Sequence, residues 1–202
     1  MNRSGKFQRI NIRSYLQHGA EGVEELRDFI SDFTCPRNPD VERFLKNNAV
    51  EFTKKDQSVT YLVFSSEDEE LLGYFTITVK PLTIGVNEIS RSVAKRLERI
   101  SRLDEETQTY TTAAYLIAQL GKNYTGGANE RISGAELLDL AWDVIKSLQY
   151  AAGGVIAFVE AEEHERLLDF YHRNYFVRFK TRPRMFQAGN SDELVQLLRV
   201  IK

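Results

Sequence analysis

The sequence predicts a layered α/β or α+β fold in which one central sheet is covered by helices. Short apolar runs of strand length alternate along the chain with segments whose apolar residues recur at helical spacing. The 202 residues contain neither an internal repeat nor a low-complexity tract. A chain of this length buries roughly 70% of its unfolded surface. We therefore expect one domain over residues 1–202, with the element order β-α-α-β-β-(helical insert)-β-α-β-α-β-β.

The first half of the chain supplies three strands and two helices. A first strand lies in KFQRINIR, and VEELRDFISDF carries its apolar residues on one helical face. Asn38 or Asp40 caps a second helix, which follows a proline-containing turn. The strands SVTYLVFSS and LLGYFTITV come next and are joined by an acidic turn from Glu67 to Glu70.

The second half adds an insertion at about 85–109 and then alternates strands with helices. TTAAYLIAQLG is typical of a buried strand. GAELLDLAWDVIKSL predicts a helix that begins near Gly134 and stops at Gly153 and Gly154. GVIAFVEA predicts a further buried strand, HERLLDFYHRNYF a short helix and FVRFKTRPRMF a strand. The final segment, ELVQLLRVI, is either a strand or a helix.

Composition argues against several classes of protein. The formal net charge of −2 argues against a protein that coats nucleic acid in general, but it does not exclude local basic patches. Cys35 is the only cysteine, so no intramolecular disulfide forms and a reducing compartment is favoured. The N-terminus lacks an apolar signal region, and no apolar run reaches the ~18 residues of a membrane span; we expect a cytoplasmic protein. The histidines form no H-x-x-x-H pair, so we expect no metal.

The loop GKNYTGGANERISGAELL links a buried strand to the start of a helix. Unpaired amides at such a start lie at the positive end of the helix dipole and can bind an anion. Ser133 and Glu136 have the S-x-x-E spacing of a capping box, which uses some of those amides. The loop is therefore either a phosphate-binding loop or an ordinary capped helix start, and taken alone it favours the second.

The element order, with this loop between the fourth strand and the third helix, resembles the GNAT acyltransferase superfamily. The pyrophosphate-loop pattern of that family, Q/R-x-x-G-x-G/A, falls on Asn129 to Gly134, where the final glycine matches. Downstream, HERLLDFYHRNYF resembles N-x-x-A-x-x-F/L-Y-x-x-x-G-F, with Tyr171 on the tyrosine and Phe176 on the final aromatic residue. His164 stands in place of the asparagine, and Tyr175 in place of the glycine.

A second resemblance covers Phe33 to Thr78, which is similar to a GNAT subgroup with the pattern F-x-C-G…F-L-x-x-x-A…T-Y-V…G-Y-F/Y-T-L. Some members of this subgroup are toxins that acetylate aminoacyl-tRNA. Pro36 stands where the pattern has glycine, and compact members lack the insertion. Outside the insertion the resemblance extends from Phe7 to Ile201. It implies a single mixed, mostly antiparallel central sheet flanked by helices.

The resemblance also implies a chemistry and a site. An amine attacks the thioester of acetyl-CoA directly, and Tyr171 donates the proton that the leaving thiolate takes up. A phenol with the ordinary pKa of about 10 carries this proton at neutral pH. The acyl-CoA arm pairs with the backbone of Gln119, Leu120 and Gly121, and His164 bonds the pantetheine or acts as a base. The phosphate loop comprises Asn129, Arg131, Ile132, Ser133 and Gly134.

Three interpretations of the function remain. We expect an N-acetyltransferase that moves acetyl from acetyl-CoA to a primary amine. One alternative is a toxin-like enzyme whose amine lies on aminoacyl-tRNA, against which the acidic net charge and the insertion weigh. The other is a non-catalytic module that binds CoA or a partner, in which Tyr171 is a packed aromatic residue and His164 an exposed helix start. The acceptor, the general base and the existence of a homodimer are not evident from these residues.

Two basic stripes could contact an anionic substrate, a tRNA backbone or the 3′-phosphate of CoA. The insertion predicts an amphipathic helix in NEISRSVAKRLERISRL, for which a solvated face is the simpler interpretation. Its apolar face holds Ile89, Val93, Leu97 and Ile100, and its basic face Arg91, Lys95, Arg99 and Arg102. Along VRFKTRPR, cations alternate on one face of a strand, and Pro183 predicts an edge position. These cations are Arg178, Lys180, Arg182 and Arg184.

Overall fold

The structure is a computed structural model that describes residues 2–183 and 193–202. The strands are β1 (Asn2–Ser4), β2 (Phe7–Asn11), β3 (Val59–Ser65), β4 (Leu71–Gly85), β5 (Leu103–Asp104), β6 (Thr109–Lys122), β7 (Ile156–Glu162), β8 (Val177–Pro183) and β9 (Glu193–Val200). The helices are α1 (Arg13–Leu16), α2 (Gly19–Ser31), α3 (Pro39–Asn47), α4 (Ala49–Lys54), α5 (Arg91–Leu97), α6 (Gly134–Ala152) and α7 (Glu165–Arg173). Two 3-10 helices cover Val86–Glu88 and Thr125–Glu130.

The strands form a mixed, mostly antiparallel sheet, as the sequence predicts. They pair in the order β1-β2-β3-β4-β6-β7-β9-β8, and β5 pairs with β6. The β6 ladder with β7 is parallel and contains Tyr115↔Ala157 and Leu116↔Phe158. By its contacts the chain divides into two compact units: unit 1 contains Met1–Thr78 and Ala118–Val144, and unit 2 contains Val79–Ile117 and Ile145–Lys202.

Unit 1 packs α2, α3 and α4 around one apolar cluster. Asn38 caps α3, because its side-chain oxygen accepts from the amides of Asp40 and Val41 at 3.2 and 3.3 Å; the predicted cap at Asn38 is confirmed. The Tyr74 hydroxyl donates to the carbonyl oxygen of Val41 at 2.5 Å, which satisfies a polar atom inside the cluster. The cluster includes Leu26, Ile30, Phe33, Leu45, Leu62 and Phe64.

Unit 2 is organised around β7, which pairs with β6 on one edge and with β9 on the other. Helix α6 ends before Gly153 and Gly154, whose φ values of 79° and 101° lie in the left-handed region that favours glycine. A Cβ on Gly154 would lie 2.9 Å from the ring of Tyr115, whose hydroxyl donates to the carbonyl of Gly153 at 2.6 Å. The predicted stop of this helix is confirmed.

The insertion differs from its prediction. The predicted helix extends across most of it, whereas α5 covers only Arg91–Leu97. Strand β4 ends at Gly85 and β6 begins at Thr109, so the rest of the insertion is a 3-10 helix, turns and the short strand β5, which pairs with the start of β6. Leu97 is buried, but Ile100 is 47% exposed. The predicted apolar face is wrong at Ile100, because the helix ends before that residue.

The last segment of the chain is strand β9, since β7 and β8 hydrogen-bond to its two edges. β8 lies at the end of the strand order, which confirms the edge position predicted from Pro183. Helices α1 and α4 were not expected from the sequence. Within residues 2–183 and 193–202, no helix is long and apolar enough to cross a membrane. That residues 1–202 form a single domain stays a prediction.

Candidate functional site

The loop between β6 and α6 ends in a capping box. The Glu136 carboxylate accepts from the Ser133 amide at 2.8 Å, and the Ser133 hydroxyl accepts from the Glu136 amide at 3.1 Å. Helix α6 starts at Gly134, as predicted. Upstream, Gly126 and Gly127 have φ values of 61° and 82°, so the loop uses their freedom to turn through left-handed conformations.

The capping box leaves two amides open at the start of α6. It occupies the amides of Ser133 and Glu136, and the Leu137 amide donates to the Ser133 carbonyl oxygen at 3.1 Å. The amides of Gly134 and Ala135 have no acceptor within the described part of the chain. Both lie in the first turn of a 19-residue helix, where the dipole favours negative charge. These two amides can therefore bind an anion such as a phosphate group.

Lys122 supports the loop from inside. Its ammonium group donates to the carbonyl oxygens of Asn129 and Ile132 at 2.6 and 3.1 Å. Burial, together with the nearby positive charge of Arg37, lowers the pKa of Lys122. The Ile132 side chain is 1% exposed and belongs to the core. Two residues predicted for the phosphate loop, Asn129 and Ile132, thus give their carbonyl groups to a structural lysine.

Arg131 is bound by the acidic turn that joins β3 to β4. Its guanidinium group donates to both carboxylate oxygens of Asp68, at 2.7 and 3.0 Å, and to the Ser65 hydroxyl at 3.0 Å. It also donates to the Glu70 carboxylate. Hydrogen bonds from Arg131 hold the pKa of Asp68 well below its usual range. In this arrangement, the positive charge of Arg131 is compensated by acids of the same chain.

The end of β6 is tightly packed. A Cβ on Gly121 would lie 2.3 Å from Cγ1 of Val41, so contact with α3 requires glycine here. Gln119 and Leu120 are half-buried in the same strand. The parallel ladder of β6 with β7 contains two residue pairs, Tyr115↔Ala157 and Leu116↔Phe158, although β6 continues to Lys122.

Tyr171 and His164 belong to unit 2 and lie at opposite ends of the α7 segment. The Tyr171 ring packs edge-on against Phe170 and Phe176, with centroids 5.1 and 5.7 Å apart, and burial raises the pKa of its hydroxyl to about 12. This hydroxyl has no hydrogen-bond partner among the described residues. His164 precedes α7 with an exposed side chain that makes no capping bond.

The turn after α7 supports the motif assigned to it. Tyr175 has φ 66°, in the left-handed region, and it occupies the position at which the GNAT pattern has glycine. The Tyr171 carbonyl oxygen accepts from the amides of Asn174 and Phe176, both at 3.0 Å. The backbone therefore keeps the turn that the pattern describes, although a tyrosine replaces the glycine.

Sequence reasoning missed the polar network around the loop. Besides the bonds of Arg131 and Lys122, Lys6 pairs with Glu136 at 3.3 Å. A cavity of about 470 Å³ lies here in unit 1; its lining includes Lys6, Ser65, Ser66, Glu130 and Arg131. The acidic turn was visible in the sequence, but its partner is 61 to 63 residues away in the chain. No local spacing indicates such a pair.

Solved structures share this fold. A structure of AtaT complexed with acetyl-methionyl-tRNAfMet is 18% identical, with a TM-score of 0.58 over 82% of this chain and 85% of that one. A tyrosine-to-phenylalanine mutant of KacT is 17% identical, with a TM-score of 0.62 over 96% and 95%. AtaTR bound with acetyl-CoA is 16% identical, with a TM-score of 0.56 over 96% and 93%.

No family model matches the chain, and no curated protein matches it either. At these identities the likeness to AtaT and KacT shows the fold. The sequence motifs, the loop before α6 and the turn after α7 agree with it. The chain therefore shares the fold of the AtaT and KacT structures.

Proposed function

We propose that this chain is an N-acetyltransferase that transfers the acetyl group of acetyl-CoA to an amine. The observation that carries the proposal is the pair of open amides, Gly134 and Ala135, at the start of α6 in a GNAT fold. Backbone amides bind phosphate without help from particular side chains. The loop can therefore hold a pyrophosphate although it departs from the usual side-chain pattern.

When bound, acetyl-CoA supplies an activated acetyl group, and the chain holds it in place. The amides of Gly134 and Ala135 bind the pyrophosphate, while Lys122 keeps the carbonyl oxygens of the loop turned inward. The backbone of Gln119, Leu120 and Gly121 pairs with the acyl-CoA arm. Arg131, Ser133 and the acidic turn set the shape of the loop. His164 remains our candidate for contact with the pantetheine.

Tyr171 acts as the proton donor in this proposal. The amine forms a bond to the acetyl carbonyl carbon, the carbon–sulfur bond breaks, and the departing sulfur takes up the phenolic proton. The attacking nitrogen loses one proton to water, and the phenolate regains one from water, so the protons balance. With a pKa of about 12, the phenol is protonated across the neutral range. Its lack of a partner leaves the hydroxyl able to donate. Structural work on AtaT and KacT includes tyrosine-to-phenylalanine mutants of both toxins.

A second candidate is a toxin-like enzyme whose acceptor amine lies on aminoacyl-tRNA. It is favoured by the structure of AtaT complexed with acetyl-methionyl-tRNAfMet and by the sequence pattern between Phe33 and Thr78. Acetylation of free amines and of aminoacyl-tRNA, compared with the same protein preparation, separates the two candidates. Growth arrest on expression that Tyr171→Phe abolishes favours the toxin.

Thermal unfolding with and without acetyl-CoA tests the phosphate loop. At a hundredfold excess over Kd, binding stabilises the folded state by about 2.7 kcal/mol, or roughly 5 to 10 °C in Tm for a chain of this size. Gly134→Pro deletes one open amide at a helix position that tolerates proline, so the shift should shrink. Gly134→Ala adds a side chain but keeps the amide, and should retain the shift.

Two results would contradict this proposal. Absence of a shift in the unmodified protein means that the loop only caps a helix, and a non-catalytic module with another ligand then becomes the better interpretation. An equal loss in Gly134→Ala and Gly134→Pro means that the added atoms, and not the deleted amide, are responsible. Circular dichroism of both variants verifies that α6 still forms.

A further inference from the structure

The cations of the insertion have no ion-pair partner among residues 2–183 and 193–202. Elsewhere in the described chain, many cations form ion pairs; these include Lys6, Arg13, Arg43, Lys46, Lys54, Arg131, Arg173 and Arg178. On α5 and the turn after it, no cation pairs with a described carboxylate. These cations are Arg91, Lys95, Arg96, Arg99 and Arg102. Their charge is not compensated by contact with the described part of the chain.

Three of these cations line one groove. A cavity of about 470 Å³ is bounded by Ser92, Lys95, Arg96, Arg99, Ile100 and Val155, all in unit 2, and we call it the insert groove. Ser92, Lys95 and Arg96 have the i, i+3, i+4 spacing of one face of α5, and Arg99 lies in the turn that follows the helix. The Arg96 guanidinium group donates to the Ile201 carbonyl oxygen at 3.3 Å, which holds the end of its side chain in place. Lys95 and Arg99 are exposed.

Three of the five acids of the insertion accept hydrogen bonds from nearby groups, and none of the five lines the insert groove. Glu98 accepts from the Tyr110 hydroxyl at 3.3 Å, and Glu88 accepts from the Gly85 amide at 2.7 Å. Asp104 accepts from the amides of Glu106 and Thr107, both at 3.0 Å. The groove is therefore locally cationic, although the net charge of the chain is −2.

We propose that the insert groove binds the phosphates of a nucleic-acid strand. Guanidinium groups match phosphate oxygens with a planar, two-pronged geometry, and two of the three cations are arginines. Lys95 and Arg96 on α5 and Arg99 in the turn after it all line the groove, so the groove offers three separate positive charges. The half-exposed Ile100 offers an apolar contact beside them. The proposal does not depend on acetyl transfer.

Fluorescence anisotropy with the full chain, and without acetyl-CoA, tests the proposal. The probes are a labelled RNA hairpin, a DNA duplex and polyglutamate. The variant Lys95→Gln/Arg96→Gln/Arg99→Gln should weaken nucleic-acid binding at least about tenfold, with the loss spread evenly over sequences. The slope of log K against log salt should fall by about two to three, since each phosphate contact contributes about 0.7 to 0.9. The favoured probe identifies RNA or DNA as the source of the phosphates.

A matched control removes the same charge from paired cations. Arg13→Gln/Arg43→Gln/Lys54→Gln also lowers the net charge by three, but each of these residues already has a carboxylate partner. This control should retain the binding. Since Arg96 contacts the backbone, Lys95→Gln/Arg99→Gln provides a variant that leaves that contact in place, and it should show about two thirds of the slope change of the triple variant. Equal losses in both triple variants, preference for polyglutamate, or no binding by the unmodified protein would each overturn the proposal.

Discussion

Arg131 in unit 1 and Arg99 in unit 2 carry the same guanidinium group in different surroundings. Arg131 donates to Asp68, Glu70 and a serine hydroxyl, whereas Arg99 has no described carboxylate partner. A polar group whose partners lie within the chain stabilises the fold. A polar group without such partners is available for a ligand. The second class also contains the amides of Gly134 and Ala135 and the hydroxyl of Tyr171. Substitutions should therefore separate stability from function.

The largest effect is expected at Tyr171, whose hydroxyl has no hydrogen-bond partner in the described part of the chain. Tyr171→Phe should lower turnover by about 10² to 10⁴-fold, because the proton donor is lost, while the affinity for acetyl-CoA changes little. The Tm should stay nearly constant, since no hydrogen bond is broken. Steady-state kinetics and thermal unfolding measure both quantities. Tyr175→Phe is the control: Tyr175 is 76% exposed and should tolerate the change. Unchanged turnover in Tyr171→Phe would remove Tyr171 from the mechanism.

The same phenol should affect stability at alkaline pH. Its folded-state pKa of about 12 lies above the unfolded value of about 10. The stability that it contributes is therefore complete below pH ~10 and is lost as the pH rises towards 12, by up to about 3 kcal/mol. Urea unfolding at several pH values measures the difference in unfolding free energy between the unmodified protein and Tyr171→Phe. This difference should change only between pH ~10 and ~12. If this difference in unfolding free energy stays constant across that pH range, the phenol is not buried.

Arg131 has hydrogen-bond partners within the chain, so its substitution should lower stability and leave turnover nearly unchanged. Arg131→Gln leaves the carboxylates of Asp68 and Glu70 without their guanidinium partner and should lower the free energy of unfolding, by an amount that solvent screening keeps small. Adding Asp68→Asn to Arg131→Gln should recover part of this loss, because one unpaired charge is removed. Urea unfolding provides the measurement. The turnover of bound substrate should remain close to that of the unmodified protein, and a large fall in it would place Arg131 in the chemistry.

The pH dependence of this pair has a predictable sign. Because the pKa of Asp68 is held well below its usual range, its contribution is present above the unfolded pKa of about 4 and is lost as the pH falls further. The stability difference between the unmodified protein and Arg131→Gln should therefore narrow in acid. A difference that stays constant down to pH ~3 would show that Asp68 is not the partner that matters.

The sequence predicts those parts of this molecule that depend on local spacing. The capping box at Ser133, the cap at Asn38, the helix stop at Gly153 and the order of the main elements follow from residues close together in the chain. Two kinds of feature do not. The helix in the insertion ends at Leu97 although the apolar helical spacing continues to Ile100, so the spacing does not mark the end of the helix. The partners of Arg131 and Lys122 are set by folding, so charge alone does not distinguish a structural cation from a free one.

The predicted row of cations along VRFKTRPR contains at least one cation whose partners lie within the chain. Arg178 pairs with Glu163 at 2.7 Å and donates to Thr181. Its charge is therefore compensated within the chain, as is that of Arg131. A register shift between Arg178 and Lys180 interrupts the regular pairing of β8 with β9. Arg184 lies outside the described residues. The stripe on this strand is thus weaker evidence for an anion site than the insert groove, the reverse of what the sequence favours.

The smallest effect is expected at Glu136, which both stabilises the helix start and influences the site proposed to bind the pyrophosphate. Its carboxylate accepts from the Ser133 amide and pairs with Lys6, yet it also places a negative charge in the turn that holds the open amides. Glu136→Gln keeps an acceptor for the capping box and should cost at most about 1 kcal/mol. It should also tighten acetyl-CoA binding a few-fold at low salt, because repulsion of the pyrophosphate falls, and this gain should fade at high salt. Isothermal titration at two salt concentrations measures it. Lys6→Gln removes the opposite charge and should weaken acetyl-CoA binding under the same conditions. If both variants shift the affinity in the same direction, charge at this turn does not govern the affinity.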